Sequence, residues 1–287
     1  MNFLHRLENE QGFMESSLDY EGSRVVLFGA PMDYTASFRP GSRMAPGAIR
    51  RVSRVLEEHS MTLGKDLREV SFFDGGDLAL PFGNVDKSLQ IIEKAWENLL
   101  KDGKLPLMMG GEHLVTYPAV KAAASLYPDL ALLQLDAHAD LRPHYLGEEN
   151  SHASVMNRIY WETGVEDIYQ LGIRSATAQE LAFARQNTRF FPGDVVKPLE
   201  IIKAELNQRP LYVTLDIDVV DPAYAPGTGT PEPGGCSSRE ILEVVSRLEG
   251  LRIVGFDLVE VAPDYDSGQI TSLLAAKIIR EIILAHG

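Results

Sequence analysis

Residues 130–140 read LALLQLDAHAD. The first six are the kind of run that fills a strand buried on both faces, where the usual polar–apolar alternation is lost. The run then ends in Asp136, His138 and Asp140. Side chains alternate along an extended chain, so these three would share one side. Two carboxylates and an imidazole converging at a strand end need a partner.

Similar runs recur from end to end. The pattern predicts strands over 24–28, 70–73, 105–108, 131–135, 167–171, 189–191, 211–215 and 252–256. Helical patterns lie between them, among them 85–100, 114–125, 198–206, 238–248 and 269–286. Strands alternating with helices of this length imply right-handed crossovers and a parallel sheet covered on both faces. No long linker, low-complexity tract or internal repeat interrupts the pattern, so one α/β domain is expected over residues 1–287.

Such sheets place ligands beyond the carboxyl ends of their strands. Four of the expected ends carry acids or histidine. MGGEH, ending at His113, follows 105–108, and DAHAD follows 131–135. DIDVVDP, with Asp216, Asp218 and Asp221, follows 211–215. DLVEVAP, with Asp257 and Glu260, follows 252–256.

Composition narrows the function. The chain has 27 Lys and Arg against 41 Asp and Glu, a formal net charge of −14. That balance argues against a nucleic-acid partner, which needs a basic footprint. It suits an acidic pocket for a cationic ligand or metal ions, as well as plain solubility. Cys236 is the one cysteine, so no intrachain disulfide framework forms, which fits a reducing compartment. In PEPGGCSS it reads as an ordinary small residue. No apolar run approaches the about 18 residues of a membrane span. The N-terminal MNFLHRLENEQGF is unlike a secretory signal. The expectation is a cytoplasmic protein with no membrane partner. No Gly-x-Gly-x-x-Gly spacing precedes a helix, so no dinucleotide or phosphate loop is expected.

Asp216 and Asp218 repeat the i, i+2 spacing of DAHAD. Suppose Asp136, Asp140, Asp216 and Asp218 met in one pocket without cations. A like-charge pair about 4 Å apart costs about 4 kcal/mol at an effective dielectric near 20. Six such pairs reach on the order of 20 kcal/mol, more than a typical folding margin. Two divalent cations balance four such charges. With His113 and His138 the set is mostly hard oxygen and has no thiolate, which favours Mn²⁺ over a structural zinc. Affinity alone leaves Zn²⁺, Co²⁺ and Ni²⁺ open. A water bridging two metals ionises near neutral pH. Turn-capping acids are the ordinary explanation at one strand end, and a poor one at four together.

GGEH at 110–113, DAHAD at 136–140 and DIDVVDPAYAPGTGTPEPGG at 216–235 resemble the ureohydrolases, the family that includes arginase and agmatinase. The resemblance extends to SFRPGSRMAPGAIR at 37–50 and DLVEVAP at 257–263. Within the family, DLRPHYLGEENSHAS at 140–154 looks most like bacterial agmatinases. The polar groups with which arginases grip an amino acid's α-amino and α-carboxylate ends are not found there.

The resemblance implies an arginase-type fold, a three-layer α/β/α sandwich on a mainly parallel sheet, and a binuclear Mn²⁺ site. It assigns His113, Asp136, Asp140 and Asp216 to one ion, and Asp136, His138, Asp216 and Asp218 to the other. Asp136 and Asp216 would bridge. It implies hydrolysis of a small cationic guanidino substrate by a hydroxide bridging two metal ions, with agmatine giving putrescine and urea as the leading case. Guanidinobutyrate, guanidinopropionate and arginine are the alternatives. Asp140 would aim the hydroxide, Glu260 would pair with the guanidinium through two charge-assisted bonds, and His152 would relay a proton to the leaving amine. A homo-oligomer, trimer or hexamer, is also implied.

Two rivals lie further off. A single-zinc deacetylase would not need two histidines and four aspartates, and a decayed binding module would not need every ligand. Around the site, Gly75–Gly76 and Gly110–Gly111 read as sharp turns, 225–235 as a rigid loop and Asp221 as a turn acid. His144 reads as exposed. For the ammonium end of agmatine Glu148 and Glu149 are the candidates, whereas an arginine carboxylate would call on Arg142.

Overall fold

The eight expected strands lie side by side in one sheet. The computed structural model describes residues 7–8 and 12–287. Most of the N-terminal stretch compared above with a secretory signal lies outside the described residues. The strands are β1 (Leu7–Glu8), β2 (Val25–Ala30), β3 (His59–Ser60), β4 (Lys65–Asp66), β5 (Phe72–Leu78), β6 (Leu105–Gly110), β7 (Ala131–Leu135), β8 (Ile168–Ile173), β9 (Arg189–Pro192), β10 (Leu211–Asp216) and β11 (Ile253–Val259). The main sheet runs β1-β5-β2-β6-β11-β10-β7-β8-β9, and β3 and β4 form a separate hairpin-like pair. Strands β5 to β9 of that order are parallel, and β1 is added antiparallel at the edge.

The helices are α1 (Ala45–Ser53), α2 (Val85–Lys101), α3 (Thr116–Leu126), α4 (Val155–Thr163), α5 (Ala178–Asn187), α6 (Val196–Leu206), α7 (Ser238–Arg247) and α8 (Ile270–His286). Alternate strand residues divide them into two layers. Leu133, Val213 and Phe256 face a core shared with α1, α6, α7 and α8. Leu132, Tyr212 and Val254 face one shared with α2, α3, α4 and α5. The central strands β2, β6, β7, β8, β10 and β11 are buried at every position, which is why they read as unbroken apolar runs. The fold is a three-layer α/β/α sandwich on a mainly parallel sheet. Among the described residues no helix is long and apolar enough to cross a membrane.

One of the two glycine pairs departs from expectation. Gly75 and Gly76 lie inside β5 and do not turn the chain. Gly76 has φ +77°, and the β2–β5 register shifts beside it. Arg50 of α1 fastens this irregularity, donating to Asp74 at 2.8 Å, to Asp77 at 2.5 Å and to the Gly76 carbonyl at 3.0 Å. At Gly111 the chain does bend after β6, and close approach is a further requirement. A Cβ there would sit 1.9 Å from the Met32 carbonyl oxygen, which accepts the Glu112 N–H at 2.7 Å.

Candidate metal centre

The strand order puts β6, β11, β10 and β7 next to one another, so the four acid-bearing ends are neighbours. His113 opens a short 3₁₀ turn after β6. Its Nδ1 lies 3.1 Å from Asp136 Oδ2, 3.1 Å from Asp140 Oδ2 and 3.3 Å from Asp216 Oδ2. His138 Nδ1 lies 2.9 Å from Asp218 Oδ2 and 3.8 Å from Asp136 Oδ1. Two groups of ligand atoms result, His113–Asp136–Asp140 and Asp136–His138–Asp218, each within 4.8 Å, with Asp136 common to both. Asp216, 3.3 Å from His113, completes the six side chains expected at the centre.

The local route differs from a continued strand. β7 stops at Leu135, and Asp140 takes a φ of +52°. The loop is held by its own side chains, with Asp136 Oδ1 accepting the His138 N–H at 2.6 Å. Asp218 lies in a 3₁₀ turn after β10, and its N–H donates to Asp216 Oδ1 at 2.9 Å.

These residues fit a divalent cation. His113 Nδ1 and Asp218 Oδ2 are buried and, apart from the close contacts within the cluster itself, meet no hydrogen-bonding group. A buried lone pair left unmatched costs about 1–3 kcal/mol. Both atoms lie within the two ligand groups, where a cation would satisfy them.

Electrostatics agree. Burial and the nearby Asp218 and Asp140 push Asp136 up to about 7, and burial with Asp218 and Asp136 pushes Asp216 well above the carboxylate range. Burial opposes charge on His138 as well, yet Asp218 raises it to about 11. Asp218 is buried too, but His138 beside it brings it down to about 2. The cluster is deficient in positive charge and takes up protons to compensate.

Above the cluster is a cavity of about 320 Å³ lined by His113, His138, Asp140, His152 and Glu260, among others. Glu260 follows β11, has φ +63°, and accepts the His113 N–H at 2.8 Å. Burial, then the neighbouring Glu112, pushes it up to about 8. A cation in the cavity would restore its charge. His152 is half-buried. Its Nε2 lies 3.2 Å from Ser37 Oγ, and its own N–H donates to Thr35 Oγ1 at 3.0 Å. Burial holds its pKa below the ordinary histidine value.

Several residues emerge only from the structure. Glu112, unremarked within GGEH, accepts from the N–H groups of Tyr34 and Thr35 at 3.0 and 2.9 Å, and so anchors the loop against which His152 rests. Burial pushes Glu112 up to about 7. Gln134 donates to Asp136 Oδ2 at 2.7 Å and accepts from Gln170 at 2.7 Å. Asp257, expected at the rim, lies within β11 a layer below the ligands, fully buried. Glu148 and Glu149 are exposed and line no wall of the cavity, whereas Arg142 and Tyr145 do. His144 is exposed. Asp221 clips its loop, accepting from Ala223, Gly234 and Gly235 at 2.9, 2.7 and 3.1 Å. Cys236 is buried, which pushes its thiol up to about 12 and leaves it inert at neutral pH.

Residues 23–285 match a family model described as the Arginase family. The chain belongs to the arginase family. An agmatinase of Bacillus anthracis is 47% identical over 275 residues, 95% of each chain. Among solved structures, the agmatine ureohydrolase of Thermoplasma volcanium superposes with a TM-score of 0.88 at 34% identity, over 98% of this chain and 96% of that one. The proclavaminate amidinohydrolase of Streptomyces clavuligerus gives 0.89 at 35%, over 98% of both. As an arginase-family member the chain is a binuclear metal-dependent hydrolase, and the clustered histidines and aspartates are the residues suited to that metal chemistry.

Proposed function

We propose that the enzyme hydrolyses agmatine to putrescine and urea. The carrying observation is the meeting of paired, cation-deficient His–Asp groups with the buried Glu260 carboxylate in one cavity. The agmatinase among its relatives supports the choice of substrate.

His113, Asp136, Asp140 and Asp216 would hold one Mn²⁺, and Asp136, His138, Asp216 and Asp218 the other. The hard-oxygen donor set supports manganese. When bound, a pair of divalent ions supplies a hydroxide nucleophile near neutral pH. Asp140 accepts a hydrogen bond from the attacking group and aims it. Glu260 pairs with the planar guanidinium and fixes its carbon over the cluster, converting a bimolecular encounter into an oriented one. His152, neutral at pH 7, would take the proton released by the attacking oxygen and pass it to the departing amine as the tetrahedral carbon collapses to urea.

A second reading, a guanidino acid as substrate, draws on Arg142 at the cavity wall, whose guanidinium would meet a carboxylate tail. Residues 1–287 would act as one domain, a reading supported by the single main sheet. A homo-oligomer, trimer or hexamer, is part of the proposal through the family resemblance. A cytoplasmic location is supported by the lone, buried Cys236.

The test is a urea-release screen with Mn²⁺ across agmatine, arginine and guanidinobutyrate. Agmatine should exceed the others in kcat/KM, the preference that the agmatinase among the relatives supports. Preference for guanidinobutyrate would favour the second reading, and no urea from any of them would refute both.

A further inference from the structure

Beneath His113 lies a hydroxyl–carboxylate chain that the metal reading does not use. Thr214 Oγ1 donates to Asp257 Oδ1 at 2.6 Å. Tyr212 and Thr116 donate to the other oxygen, Oδ2, at 2.6 and 2.9 Å. Asp257 is fully buried and accepts all three hydroxyls. On its opposite side Thr214 Oγ1 lies 3.0 Å from His113 Nε2. A hydroxyl has one proton. With that proton committed to Asp257, Thr214 offers His113 only a lone pair.

We infer that Asp257, acting through Thr214, locks His113 in the tautomer that carries its proton on Nε2 and leaves Nδ1 bare toward Asp136, Asp140 and Asp216. Asp257 and Thr214 are thus positioning residues that keep the proton on Nε2 and make Nδ1 the nitrogen that gives way to an ion. Tyr212 and Thr116 keep the carboxylate pointed so that Oδ1 is left for Thr214. Nδ1, on the far side of the ring, is buried and faces Asp136, Asp140 and Asp216 at 3.1 to 3.3 Å. A metal-ligating histidine commonly has its other nitrogen fixed in this way, and loss of the outer partner typically costs 10- to 100-fold in metal affinity. Asparagine at 257 should invert the lock. Its carbonyl would take the side with two hydroxyl donors, leaving its NH₂ against Thr214. The threonine proton would then turn to His113 Nε2 and drive the imidazole proton onto Nδ1.

The inference rests on the two-metal reading, and calorimetric titration of Mn²⁺ into metal-free protein separates the two. Wild type should show two binding steps, and Thr214→Ser, which keeps the hydroxyl, should match it. Thr214→Val and Asp257→Asn should weaken one step by about 10- to 100-fold and spare the other. In Zn²⁺-loaded wild type, ¹⁵N-histidine NMR should place the His113 proton on Nε2. If Asp257→Asn does not fold, the Ser and Val variants at 214 carry the test. Unchanged binding in Thr214→Val, or equal damage in Thr214→Ser and Thr214→Val, overturns the inference alone. A wild type that binds no Mn²⁺ overturns the functional reading, and the inference with it.

Discussion

At the scale of single residues, the site separates groups that meet substrate from groups that hold those groups still. On the proposed reading Glu260 does the first. Its carboxylate is buried beside Glu112, accepts the His113 N–H and lines the cavity. Glu260→Gln should therefore raise KM for a guanidinium substrate and lower kcat/KM by about 10²-fold, the scale of about 2–3 kcal/mol for a charge-assisted bond, in a steady-state urea assay. Unchanged kinetics would remove Glu260 from substrate binding. Ser37→Ala, which takes away one partner of His152 at an exposed position, should cost less than His152→Asn in the same assay. The ligand candidates could be read from DAHAD, DIDVVD and GGEH because Asp and His at apolar strand ends have few ordinary uses. Gln134, Thr214 and Gln170 could not. As residue types they are unremarkable in a strand, and only the sheet shows which side chains they touch.

At the scale of elements, the chain packs closely where it leaves the strands. Gly111 illustrates this. The chain after β6 passes so close to Met32 that a single added carbon would lie 1.9 Å from its carbonyl oxygen. Gly111→Ala should destabilise the fold by about 3 kcal/mol, the upper range for overpacking, and lower the thermal midpoint by several degrees. A midpoint equal to wild type would mean that the loop yields freely. The strands were legible because burial on both faces leaves unbroken apolar runs. Their ends were less so, and β5 extends past its expected limit through a glycine pair that Arg50 holds in the sheet. Three helices escaped the expected set for separate reasons. Helix α1 carries Pro46 and Gly47 in its first turn, α4 is only nine residues long, and α5 buries little beyond Ala184 and Glu180. The pairs β1–β5 and β3–β4 are two residues long, too short for any period to show.

At the scale of the whole molecule, strand order was not legible, because the neighbours β6 and β11 come from distant parts of the chain. That order is what turns four separate motifs into one rim. Overall stability has a pH dependence that does not involve the rim. His286, at the end of α8, is held at about 4, first by burial and then by Arg24 and Lys65, against an ordinary 6.5. Above pH 6.5 the group is neutral in both folded and unfolded chains and has no effect. Between pH 6.5 and 4 the unfolded chain binds a proton that the folded one refuses, so stability falls as pH drops. The contribution approaches about 1.4 kcal/mol per pH unit. His286→Gln should flatten the decline in thermal midpoint between pH 7 and 5 relative to wild type, and identical slopes would rule this origin out.

The whole arrangement depends on doubly charged ions offsetting carboxylates that would otherwise hold protons. The most direct measurement is the metal content of the purified protein alongside urea release, before and after exhaustive chelation and again after Mn²⁺ is restored. Two ions per chain, activity lost with them and recovered on their return, is the predicted result. Full urea release from protein stripped of metal would contradict it.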